Sequence, residues 1–131
     1  MELHLKIIGV LLIVLALIHI IFPGYFNWKK ELSSLSLINK QMMYVHTFFI
    51  ALTILLIGFL CLTSANELTS TMLGKKVSLA LSVFWIIRLF FQFFVYSPVL
   101  WKDKRFETTI HIIFSLLWTY FSLIFFLAYL S

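Results

Sequence analysis

Charge is what this chain has least of. Five acidic side chains, Glu2, Glu31, Glu67, Asp103 and Glu107, stand among 131 residues of which 11% are charged, and none lies deep in an apolar run. No deep carboxylate is therefore on hand to ligate a metal, and no His-x-x-x-His or His-x-x-His pair supplies two imidazoles from one helix turn. A single cysteine, Cys61, rules out an intrachain disulfide and reads as a small apolar packing residue. The two prolines, Pro23 and Pro98, fall between the apolar runs, so no run is broken in the manner of a transporter site. Asn27, Asn39 and Asn66 start no Asn-x-Ser/Thr sequon, so nothing argues for a glycosylated surface protein.

What the chain has in abundance is hydrocarbon. With 63% hydrophobic residues and a mean hydropathy of +1.07, it reads as an all-α polytopic membrane protein and a single transmembrane domain over residues 1–131. Four runs, Leu3–Phe22, Met42–Leu62, Val77–Tyr96 and Thr108–Leu130, each approach the ~20 residues that cross a ~30 Å hydrocarbon layer. They predict a four-helix bundle. The first run is expected to persist as a helix, because Pro23-Gly24-Tyr25-Phe26 follows it where a signal peptide would have small residues for cleavage.

The net charge of +5 does not point to nucleic acid, since the basic residues flank the apolar runs in short clusters. Lys29, Lys30, Lys40, Lys102, Lys104 and Arg105 belong to the first and third loops; Lys6, Lys75 and Lys76 belong to the other side. The excess places the first and third loops in the cytoplasm and both termini outside; with no sequon to suggest a glycosylated eukaryotic surface, a bacterial inner membrane is the expected home. The first loop, Pro23 to Gln41, alternates Leu32, Leu35, Leu37 and Ile38 with serines after Tyr25, Phe26 and Trp28; it predicts a short interfacial amphipathic helix capped by Asn27. Ser64 to Lys76 reads as an exposed turn, and the charges of Ser97 to Glu107 as surface anchors. Each half also has an aromatic residue near a Pro, then Trp-Lys, then a His, a faint echo that belt aromatics alone would produce.

Four ionisable side chains stand well inside the runs, one in each: His19, His46, Arg88 and His111. Such residues are expensive in lipid and call for a reason. At ~1.5 Å per residue from the cytoplasmic boundaries, His19 and His111 are roughly 6 Å deep, His46 and Gln92 roughly 9 Å, and Arg88 roughly 15 Å. Polar positions also follow helical stripes: Trp85, Arg88, Gln92 and Tyr96; Glu107, His111, Ser115, Trp118 and Ser122; Met42, His46, Phe49 and Thr53; Gly9, Leu12, Ala16 and His19. Gly9, Ala16, Ser78 and Ser82 are small enough for close helix approach. The sequence thus predicts a ligand-binding pocket at the cytoplasmic leaflet built from His19, His46, Arg88, Gln92 and His111, with Tyr96 and Glu107 as neighbours.

Several chemistries fit that pattern. Arg88 and Gln92 suit a lipid or quinone-type amphipathic ligand, whose tail the Phe-rich third and fourth runs would receive. Any two of His19, His46 and His111 suit bis-imidazole haem, and all three suit a transition metal with Glu107 or water in an open position. Glu107 reads equally as a charge favoured at a helix N-terminus. A structural subunit of a larger membrane complex, or a homo-oligomer, is the remaining class; a single copy offers no continuous polar path for transport, and no catalytic residue can be assigned.

The segments Phe26-Asn27-Trp28-Lys29-Lys30-Glu31-Leu32 with Leu35 and His46, Phe84-Trp85 to Arg88, Gln92-Phe93-Phe94-Val95-Tyr96 with Pro98 to Trp101, and Phe106-Glu107-Thr108 with His111, Leu117, Trp118 and Tyr120 resemble a group of small bacterial four-helix membrane proteins. The resemblance implies a bacterial membrane protein and brings no substrate, cofactor or reaction with it.

Overall fold

The computed structural model describes all 131 residues and contains helices and no strand. The first helix, α1, covers Glu2–Ile18, with Glu2 in the turn where the helix dipole favours an anion. It stops four residues short of the expected Phe22. The amides of Ile20, Ile21 and Phe22 reach back only three residues, to Leu17, Ile18 and His19, which tightens and ends the helix before Pro23. At 17 residues α1 is ~26 Å long, and the helices long and apolar enough to cross a membrane are the three that follow: α4 (Leu37–Thr63), α6 (Met72–Phe94) and α7 (Arg105–Leu130). Only 17%, 22% and 33% of their most apolar stretches are buried, so apolar side chains point outward as lipid requires and water would not allow.

The connections differ from expectation in instructive ways. In place of one amphipathic helix, the first loop holds two single turns, α2 (Phe22–Tyr25) and α3 (Trp28–Glu31), before α4 begins at Leu37. Asn27 stands at the N-cap position of α3 but its side chain caps nothing; it adopts φ 52° and ψ 50°, the left-handed region that Asn tolerates, and so reverses the chain between the two turns. The second loop is not a plain turn either: α5 (Ala65–Ser70) and the start of α6 at Met72 together occupy most of it. Thr71 separates α5 from α6 by donating to the Glu67 carbonyl (2.8 Å) and accepting from the Gly74 amide (2.9 Å). Gly74 is obligatory there, because a Cβ would lie 1.9 Å from the Glu67 carbonyl oxygen. A 3-10 turn, Pro98–Leu100, fills the third loop.

The chain divides into two units, Lys6–Ser64 and a second made of Met1–Leu5 with Ala65–Ser131. In the first, Ile8, Gly9, Leu12, Leu15 and Ala16 form the buried stripe of α1, and Ile54, Gly58 and Cys61 that of α4. The helices touch backbone to backbone at Gly9 and Gly58: a Cβ on either would meet the other's carbonyl oxygen at 2.7 or 2.9 Å. The expected inward stripe of α4 is on another face, since Met42, His46, Phe49 and Thr53 are all exposed. Thr53 satisfies its hydroxyl on its own helix, at the Phe49 carbonyl (2.7 Å).

In the second unit, α6 and α7 pack along Ser78, Ser82, Trp85 and Gln92 on one side and Ser115, Trp118, Phe121, Ser122 and Phe125 on the other. Small residues bring the backbones close enough for the Ser82 hydroxyl to donate to the Ser122 carbonyl at 3.0 Å, and Ser78 likewise reaches the Leu68 carbonyl of α5 at 3.1 Å. His4 Nδ1 pairs with the Tyr120 hydroxyl at 2.8 Å.

Candidate functional site

The polar chemistry of the second unit converges on one amide. Gln92, 8% exposed on the inner face of α6, receives two hydrogen bonds at Oε1: one from Arg88 on the preceding turn (3.3 Å) and one from the indole Nε1 of Trp118 on α7 (3.3 Å). Both groups can only donate, so the amide oxygen must face them. Its Nε2 then faces Nδ1 of His111, 2.8 Å away. An amide NH2 can only donate, so Nδ1 accepts and the neutral imidazole carries its proton at Nε2. The tautomer of His111 is thus set two bonds away by an arginine and a tryptophan.

Aromatic rings hold this chain in place. His111 stacks on Trp101 at 3.8 Å with planes 12° apart, and the edge of Phe93 meets it at 5.8 Å. Trp101 is positioned in turn by its carbonyl, which accepts from the Thr108 hydroxyl, and the Ser115 hydroxyl donates to the His111 carbonyl at 2.7 Å. The guanidinium of Arg88 lies 5.1 Å from the Trp118 ring and 5.3 Å from the Tyr96 ring, within the range of cation–π attraction. Its partners are an amide oxygen and two π-faces, with no carboxylate among them. Trp85 and Phe114 both stack on Trp118 (4.9 Å, 14° and 5.4 Å, 16°), and the buried Nε1–H of Trp85 has no partner. Beside this network, Phe84, Ile87, Arg88 and Phe91 line an open apolar groove of about 210 Å³ on α6.

Of the expected site residues, Arg88, Gln92, Tyr96 and His111 are therefore together. Glu107 is exposed in the first turn of α7, where the helix dipole accounts for a carboxylate, and takes no part in the network. His19 and His46 belong to the Lys6–Ser64 unit; His46 is exposed on α4, and His19 is half-buried with Nδ1 on the Leu15 carbonyl (2.8 Å). No three His, Cys, Asp or Glu side chains gather as a metal site. For His111 the hydrogen bonding also opposes ligation: a metal-bound imidazole donates from the nitrogen that does not face the metal, whereas Nδ1 here accepts and the proton occupies Nε2. Trp101 and Trp118, which stack on His111 and donate to Gln92 respectively, are absent from the site residues that the sequence predicts, Trp118 standing there only on a helical stripe. Their sequence signal is only that each is a large amphipathic ring near a polar neighbour. Compared with protein-family models, curated proteins and solved structures, the chain matches none.

Proposed function

We propose that the protein is a four-crossing integral membrane protein of a bacterial inner membrane whose Arg88–Gln92–His111 network binds an amphipathic ligand with a hydrogen-bond-accepting head, an anionic lipid or a quinone. The observation that carries this reading is the state of Arg88: a permanently charged fork without a carboxylate partner, on the wall of an apolar groove. An unpaired charge at membrane depth is costly, and an accepting oxygen from a ligand head would offset that cost while Phe84, Ile87 and Phe91 receive the tail. A fourth crossing would take α1 together with the tight turn after it, since the 17 residues of Glu2–Ile18 fall short of a ~30 Å hydrocarbon layer and the turn carries the chain on to Phe22. The test is what co-purifies with the protein and is lost from Arg88→Ala: an anionic phospholipid identifies one source, a quinone the other, and an unchanged extract contradicts the reading.

A further inference from the structure

The Lys6–Ser64 unit contains a half-open cavity of about 210 Å³, with the exposed Ile20 and Phe48 at its rim, that owes nothing to the Arg88 network. Its walls are almost wholly apolar, with Pro23, Trp28 and Phe48 prominent among them, and no Lys, Arg, Asp or Glu lines it. Trp28 is 7% exposed and meets Tyr44 edge to face at 5.3 Å, so this wall is packed aromatic surface. Into the wall is set one imidazole. His19 Nδ1 stands 2.8 Å from the Leu15 carbonyl, which can only accept; Nδ1 is therefore the donor, and in the neutral tautomer this selects, the lone pair is at Nε2. Thr47 also lines the cavity and, unlike Thr53 and Thr63, does not return its hydroxyl to the carbonyl one turn back.

These features select a ligand class. A charged head would find no counter-charge, and an acyl chain would leave the imidazole acceptor unused. Apolar cavities of ~150 Å³ hold a benzene ring, so this volume takes one ring with a few substituents. We propose that this cavity binds a neutral hydroxylated aromatic ring, the chemistry of a phenol or a quinol head, with the hydroxyl donating to His19 Nε2 and the ring packed against Trp28 and Phe48.

The probes are 4-propylphenol and propylbenzene, which differ by the hydroxyl alone, titrated into the full-length protein in micelles and followed by intrinsic fluorescence, with Trp28→Phe identifying the reporter. Wild type should bind the phenol saturably and roughly three- to tenfold more tightly, the worth of one net hydrogen bond. In His19→Phe, which keeps an apolar ring but no acceptor, the order should reverse. Ala51→Leu, which fills the cavity from a lining position, should weaken both probes and serves as an independent check should His19→Phe fail to fold. Equal affinity for the two probes in wild type, a preference that survives in His19→Phe, or binding unaffected by Ala51→Leu would overturn the proposal.

Discussion

Gln92 shows how a neutral side chain can organise a charged one in lipid. Two obligate donors, Arg88 and Trp118, fix its amide, and the amide fixes His111. Replacing it tests the order of command. In Gln92→Glu the carboxylate still accepts from Arg88 and Trp118 but cannot donate to His111, so a proton must move onto Nδ1. Nitrogen NMR of protein labelled at histidine, with the His111 signals assigned through His111→Gln, should show Nδ1 unprotonated in wild type and protonated in the variant. A protonated Nδ1 in both would mean that the amide does not set the tautomer.

At the scale of helices, contact between small residues rather than apolar patterning decides which faces meet. Gly58→Ala drives a methyl to 2.9 Å from the Gly9 carbonyl oxygen and should destabilise by about 1–3 kcal/mol, the usual cost of overpacking. Gly24→Ala, whose Cβ meets nothing within 4 Å, should stay within about 0.5 kcal/mol. Melting temperatures of the two variants in the same detergent check this, and equal values would contradict it. The same physics explains what could be read from the sequence. Helix content and the three long apolar helices were legible because crossing lipid demands length and hydropathy, and Arg88, Gln92, Tyr96 and His111 were legible as polar intruders on helical stripes. The inward face of α4 was not. Lipid is as apolar as a protein interior, so Met42, Phe49 and their neighbours could not be told from core residues, and the true seam is marked by Gly58 and Cys61, whose signal is size. Nor could polarity alone divide the histidines, since an imidazole near a helix end is equally at home among headgroups.

For the whole molecule, the proposed four crossings put both termini on one side, and three crossings by α4, α6 and α7 alone would put them on opposite sides. Single cysteines at Glu2 and Ser131 in a Cys61→Ala background should both react with an impermeant thiol reagent in intact cells. Labelling at one terminus alone would reduce the count to three. The central claim, that Arg88 holds the head of an amphipathic ligand, is tested most directly by mass spectrometry of solvent extracts from equal amounts of purified wild-type and Arg88→Ala protein. The account predicts one anionic lipid or quinone enriched over its membrane proportion in wild type and depleted roughly 10- to 100-fold in the variant, the worth of a hydrogen bond to a charged group. Identical extracts from the two proteins would contradict it.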